Sequence, residues 1–186
     1  MRLKSPCQGI DFATTDVYGN RFQLSDYLGK RIMLSFFRNA ACPFCNFRVY
    51  ELTHQYKAWK AKGLEVVAVF SSPADEVRHW VTRHPRPFHV LSDPDLELYN
   101  LYGIEHSGSA LIKALLFNFP RVARGFAMGP GRKNRHPTIV PADFLLQEDG
   151  RIIETWYARN TSDHIPLKRV ERFINARSRS NPVAAA

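Results

Sequence analysis

A chain of 186 residues with 45% apolar and 12% aromatic side chains can bury one full-sized core, which excludes a disordered or fibrous protein. The net charge is +9, and no apolar run approaches the roughly 20 residues needed to span a bilayer, so no membrane partner is expected. Three cysteines are too few, and too odd in number, for a disulfide framework.

The opening residues Met1 to Cys7 carry no apolar stretch of the kind a secretory signal needs, so the expected location is the cytoplasm. The first thirty residues read as a lead-in. Gly19-Asn20 marks a turn between two short extended pieces, and Leu24 to Lys30 forms a brief helical turn closed by Gly29. Ile32 to Phe37 has the length and apolarity of a strand buried on both faces. Pro43 then opens a long helix, where its missing N–H costs nothing. Cys45, Val49, Leu52, Tyr56 and Trp59 recur at helical spacing as one buried stripe, and Gly63 ends the helix.

Leu64 to Phe70 is a second buried strand. Ser72, Pro73 and Asp75 predict a capped helix whose apolar face carries Val77, Trp80 and Val81, stopped by Pro85 and Pro87. Phe88 to Leu91 is a third strand, and Pro94 to Tyr102 a helical segment ending at Gly103. Within the insertion 104–137, Ala110 to Phe119 suits a helix, followed by a loop rich in Gly, Pro and Arg. Phe144 to Gln147 and Ile152 to Tyr157 flank Glu148-Asp149-Gly150-Arg151, a hairpin signal. Pro166 to Ala176 is a last helix. A single α/β domain over residues 1–178 is expected, with a mixed central sheet, helices on both faces and a disordered tail over 179–186.

The positive charge clusters at Arg121, Arg124, Arg132, Lys133 and Arg135, and again at Lys168, Arg169, Arg172, Arg177 and Arg179. A solvated basic surface explains both clusters. Neither zinc-finger spacing nor interleaved aromatics supports a nucleic-acid partner.

The chemistry gathers at Cys42-Pro43-Phe44-Cys45. Cys42 falls at the N-terminus of a helix, where free N–H groups and the helix dipole favour a thiolate. The dipole lowers a thiol pKa by roughly one unit. Arg38, four residues earlier, and Arg48, a turn beyond Cys45, are the candidate cations. Cys42 is the expected attacking thiol. Cys45, one turn further in, is placed to resolve a mixed disulfide or a sulfenic acid on Cys42. Half a zinc site and a pair of inert buried cysteines are the alternatives, and the first lacks a second ligand pair. No cofactor or metal is called for. Cys7 reads as incidental, and His54, His79, His84, His89, His106, His136 and His164 as surface or satisfied residues.

Phe36-Phe37-Arg38-Asn39-Ala40-Ala41-Cys42-Pro43-Phe44-Cys45 is similar to the Tyr-Arg-Gly-Gly-Trp-Cys-Pro-Tyr-Cys signature of peroxiredoxin-like proteins. Supporting pieces follow in order: Asp11-Phe12, Leu24 to Lys30, Ser92 to Asp95, Tyr102 to Ile104, Pro141 to Leu146 and Asp149 to Ile152. Over most of residues 10–160 the chain resembles the thioredoxin-like superfamily, in the branch of alkyl hydroperoxide reductases and thiol-specific antioxidants. The resemblance implies a three-layer thioredoxin-like sandwich and makes Pro141 the cis-proline facing the cysteine pair. Two positions depart from the pattern: Ser35 stands where the family has proline, and Asn39 where it has threonine. The activating arginine before the late strand has no counterpart. Asn39 is the candidate donor to a peroxide oxygen.

The implied activity is a thiol-dependent oxidoreductase that reduces peroxides through a Cys42 sulfenic acid resolved by Cys45. A thiol donor, either a thioredoxin-like protein or a low-molecular-weight thiol, would restore the pair. A disulfide reductase is the enzymatic alternative. A non-catalytic module binding through the basic surface, or a copper or zinc carrier, are rivals of another class. The sequence leaves a homodimer open.

Overall fold

The computed structural model describes residues 1–104, 136 and 138–176. Strands β1 (Cys7–Gln8), β2 (Ala13–Thr15) and β3 (Arg21–Gln23) lead through a 3-10 turn at Leu24–Tyr27 into β4 (Arg31–Phe37). Helix α1 (Pro43–Ala61), β5 (Leu64–Phe70), α2 (Ala74–Trp80), β6 (His89–Ser92) and α3 (Glu97–Leu101) follow. Then come β7 (Ala142–Leu146), β8 (Arg151–Tyr157) and α4 (Leu167–Asn175). The expected helix at 110–119, its Arg-rich loop and the tail from 179 lie outside the described residues.

Six strands form one sheet in the order β1-β8-β7-β4-β5-β6, with β4, β5 and β6 parallel and β7, β8 and β1 antiparallel. The parallel pairs are joined by crossovers through α1 and α2, the antiparallel pair β7–β8 by a tight turn at Gly150, whose φ of +79° suits glycine. Alternation along β4 divides the core. Met33 and Phe37 face α1 and α4, while Ile32, Leu34 and Phe36 face α3 and the β2–β3 hairpin. Helices therefore cover both faces of a mixed sheet, as the sequence predicts.

The predicted stripe of α1 is fully buried at Cys45, Val49, Leu52, Tyr56 and Trp59. Burying each side chain contributes about 1.5–3 kcal/mol. Three expectations need correction. Ser72 does not cap α2. The helix starts at Ala74 after Pro73, and the Ser72 hydroxyl instead accepts the Ala40 N–H at 3.0 Å. Trp80 does not join the apolar face of α2, because it is 42% exposed at the helix end. Cys7, placed by the sequence in an irregular lead-in, belongs to edge strand β1, paired with Ile152 of β8 and three strands from β4.

The last helix is anchored by a side chain that sequence periodicity leaves unmarked. Arg31 opens β4, and its guanidinium donates to the carbonyls of Phe173, Ile174 and Ala176 at the end of α4, and to Glu148 Oε1 at 2.9 Å. A buried cation at a helix C-terminus satisfies carbonyls that would otherwise lack partners. Replacing Arg31 by Ala leaves them unmet, so chemical denaturation of the R31A variant should show a loss of about 2–4 kcal/mol. A wild-type midpoint for R31A would refute this anchoring role.

Candidate active site

Phe37, the last residue of β4, delivers the chain into a tight loop that ends at the start of α1. The loop is held from three sides. The Ser71 hydroxyl donates to the Arg38 carbonyl, and Tyr99 of α3 donates to the Phe37 carbonyl. Asn46, in the first turn of α1, reaches back with its side-chain amide to the carbonyls of Ala40 at 2.7 Å and Cys42 at 3.2 Å. Ser71, Ser72, Asn46 and Tyr99 were not legible as site residues, because each acts through a main-chain contact that only the fold creates.

Cys42 is the residue just before α1, with extended backbone (φ −73°, ψ 120°) and Pro43 behind it at the first helical position. Both cysteines are reduced and buried, Cys42 with 4% of its surface exposed and Cys45 with none. The Cys45 thiol donates to the Cys42 sulfur, and this contact does most to lower the Cys42 pKa, to about 6. Burial opposes the shift, and the Arg38 charge and the N–H groups of Cys45 and Phe44 assist it. Those N–H groups favour the anion even though the sulfur makes no full capping hydrogen bond. The same contact and burial push the Cys45 thiol well above its ordinary range. The shifts thus favour an anionic Cys42 beside a protonated Cys45.

Arg38 supplies the positive field that the sequence assigned to it, and its Nε is buried without a hydrogen-bond partner among the described residues. Asn39 donates its main-chain N–H toward the Cys45 sulfur, while its side-chain Oδ1 is likewise buried and without a partner. Arg48 is not an activating cation. It lies on the buried face of α1, donating to the Ile165 carbonyl at 2.6 Å and pairing with Glu51. Pro141 stands directly before β7, but its peptide bond is trans. Among the described residues the cis bond is Ser5–Pro6. Trans is the ordinary form of an X–Pro bond, favoured by about 0.5–1 kcal/mol, and Pro141 keeps it while its carbonyl accepts the Ala158 N–H at 3.0 Å and extends the β7–β8 ladder.

Two further residues escaped the sequence reading. Asp143 of β7 is fully buried and accepts hydrogen bonds from Ser35 Oγ at 2.6 Å and the Ile165 N–H at 2.8 Å. His164, read from the sequence as a surface or satisfied residue, lies 3.2 Å from Asp143 through Nδ1 with its side chain only 6% exposed. Its Nε2 is buried with no partner among the described residues. Among those residues no group of three or more His, Cys, Asp or Glu side chains is arranged to hold a metal ion. No helix among them is long and apolar enough to cross a membrane.

Comparison with known proteins agrees with this architecture. The family model described as the AhpC/TSA family matches residues 7–155. A thiol-disulfide oxidoreductase ResA from Bacillus thuringiensis subsp. konkukian is 28% identical over 156 residues, covering 83% of this chain and 70% of that one. Among solved structures, peroxidoxin BcpB from Mycobacterium tuberculosis superposes with a TM-score of 0.66 at 13% identity, over 93% of this chain and 95% of that one. A yeast mitochondrial 1-Cys peroxiredoxin superposes with a TM-score of 0.69 at 13% identity, over 94% and 76%. At such identities the two structures establish the thioredoxin-like fold.

The geometry fixes a pH profile for thiol reactivity. Alkylation of Cys42 should rise with pH around a midpoint of about 6, because the thiolate is the nucleophile above that value. Cys45 should stay unmodified through the neutral range. Replacing Arg38 by Gln should move the Cys42 midpoint upward by about half to one unit, as read by mass spectrometry after timed alkylation. A Cys42 midpoint near that of a free thiol would contradict this account of the pair.

Proposed function

The chain belongs to the AhpC/TSA family, a set of thiol-dependent oxidoreductases, and on that premise we propose that it reduces peroxides through the Cys42/Cys45 couple. The observation that carries this reading is the combination of an activated sulfur with a nearly closed surface. Cys42 is 4% exposed and poised as a thiolate, which suits a small substrate better than a bulky protein disulfide. Arg38 Nε and Asn39 Oδ1 are the nearby buried polar atoms with unmet hydrogen-bonding capacity. One can donate to a peroxide oxygen and the other can accept its O–H. In the first step the Cys42 thiolate attacks one peroxide oxygen and the O–O bond breaks. The other oxygen takes the peroxide's own proton and leaves as water or an alcohol, and the sulfenate on Cys42 takes a proton from solvent to become the sulfenic acid. In the second step Cys45 displaces the sulfenic hydroxyl as water and forms the Cys42–Cys45 disulfide. A thiol donor then returns two electrons and two protons.

A disulfide reductase is the second reading, supported by the relative named a thiol-disulfide oxidoreductase and by the direct contact of the two sulfurs. The first step would then be attack on a disulfide sulfur. Rapid quenching of the reduced protein with hydrogen peroxide, followed by mass spectrometry, separates the two. Peroxide reduction predicts fast sulfenic acid at Cys42, its conversion to the Cys42–Cys45 disulfide, and its accumulation in the Cys45→Ser variant. Oxidation no faster than that of a free thiol, with rapid exchange against a disulfide, establishes the reductase instead.

A further inference from the structure

Reduction of a Cys42–Cys45 disulfide needs a thiol that can reach an almost fully buried sulfur. A donor met by chance collision seldom aims its own sulfur at so small an opening, so a binding surface beside that opening raises the rate. Helix α1 carries such a surface. Phe47 and Tyr50 are 63% and 54% exposed, although large apolar side chains are normally buried. Both lie on the outer side of α1, opposite the buried stripe of Val49, Leu52, Tyr56 and Trp59. At 1.5 Å per residue, Phe47 is about 7 Å and Tyr50 about 12 Å along the helix axis from Cys42. The rings form one ridge. Phe47 and Tyr50 lie nearly parallel at 6.3 Å, and the exposed His54 ring sits 3.9 Å from Tyr50, with Nδ1 2.8 Å from the Tyr50 carbonyl. Side chains already stacked on one another lose little freedom when a partner covers them.

The charges beside the ridge are mostly positive. Lys57 follows His54 along the outer side of α1. The neighbouring helix adds more. Arg48 donates to the Ile165 carbonyl just before α4, and Lys62, past the other end of α1, reaches Asn175 Oδ1 at 3.2 Å. Helix α4 therefore runs beside α1 in the same direction. Lys168 and Arg172, seven and three residues before Asn175, share the side of α4 that Asn175 turns toward α1. Lys57, Lys168 and Arg172 are exposed, and none is held in an ion pair among the described residues. The acids on this face are Glu51, which pairs with Arg48, and the exposed Glu171. An apolar centre with a positive border fits a partner whose own apolar contact has an acidic border. A second copy of this chain would set like charges against each other, and the net charge of +9 adds to that repulsion. A nucleic acid matches the charge, but its chemistry gives it no reason to lie beside a reactive sulfur.

We propose that the ridge of Phe47, Tyr50 and His54, with Lys57 and the α4 cations beside it, docks an acidic protein dithiol that reduces the Cys42–Cys45 disulfide. The donor's thiolate attacks the Cys42 sulfur and the Cys42–Cys45 bond breaks. Cys45 leaves with the electron pair and takes up a proton. The donor's second thiol then loses its proton and attacks the donor sulfur joined to Cys42. Cys42 leaves as a thiolate, and the donor departs as a disulfide after passing on two electrons. The inference rests on the dithiol couple proposed above, and holds whether a peroxide or a disulfide oxidises that couple.

The probe is a reduced thioredoxin of net negative charge, with dithiothreitol as an uncharged reductant that needs no docking. Acid quenching at timed intervals and mass spectrometry give the rate at which each reduces the oxidised protein. The Phe47→Ser/Tyr50→Ser double variant should slow reduction by thioredoxin about 10- to 30-fold, while the dithiothreitol rate stays within about twofold of wild type. Lys57→Glu should also slow the thioredoxin reaction and flatten its decline with ionic strength. Equal thioredoxin rates in wild type and the double variant overturn the proposal, as does a wild-type rate with thioredoxin no greater than with dithiothreitol. With thioredoxin rates unchanged, a dimer that the double variant loses in sedimentation gives the ridge to a second copy. An oligonucleotide bound by the wild type alone, again with unchanged rates, gives it to nucleic acid. Failure of the cysteines to form a Cys42–Cys45 disulfide with either hydrogen peroxide or dithiodipyridine overturns the dithiol reading itself.

Discussion

A thiolate inside a protein core needs a positive and partly dry place to exist, and the protein makes that place where β4 ends and α1 begins. Free N–H groups of the first helical turn, the Arg38 guanidinium and the Cys45 thiol all converge on one sulfur. Burial works against the charge, so the balance depends on those three sources staying in position. The loop that carries Cys42 is accordingly tied to its surroundings by Ser71, Ser72, Asn46 and Tyr99. None of these four touches the substrate in the proposed reaction, yet each fixes where the thiolate sits.

The sheet explains why the site lies there. Parallel strands β4 and β5 end together, and the crossover helix α1 must start above their carboxyl ends. The antiparallel strand β7 then runs beside β4 and brings Asp143 opposite Ser35, directly across the ladder. A carboxylate with no solvent exposure survives only with a full set of donors, which it gets from Ser35, Ile165 and His164. That requirement ties the loop after β8 to the sheet and sets the His164 imidazole against the Phe37 ring.

Much of this was legible in the residues themselves. The buried runs at Ile32 to Phe37 and Leu64 to Phe70, the stripe on α1 and the hairpin around Gly150 all appear where periodicity and turn chemistry put them. Ser72, Trp80 and Pro141 each carry a strong local or family signal that the fold does not follow. Ser72 is drawn to the Ala40 N–H rather than to its own helix, and Pro141 sits in a regular ladder through its carbonyl.

What the sequence determined by itself was the fold class and the place of Cys42 and Cys45 at the start of a helix, because both follow from local pattern: apolar spacing, a proline at a helix start, and two cysteines one turn apart. What only the tertiary structure decided was the electrostatics. Arg38 and Arg48 are equally plausible cations on paper, yet one lies beside the thiolate while the other is committed to Ile165 and Glu51. Asp143 and His164 are 21 residues apart and carry no motif. They meet because an antiparallel strand and a returning loop bring them together, and charge interactions depend on distance in space rather than along the chain.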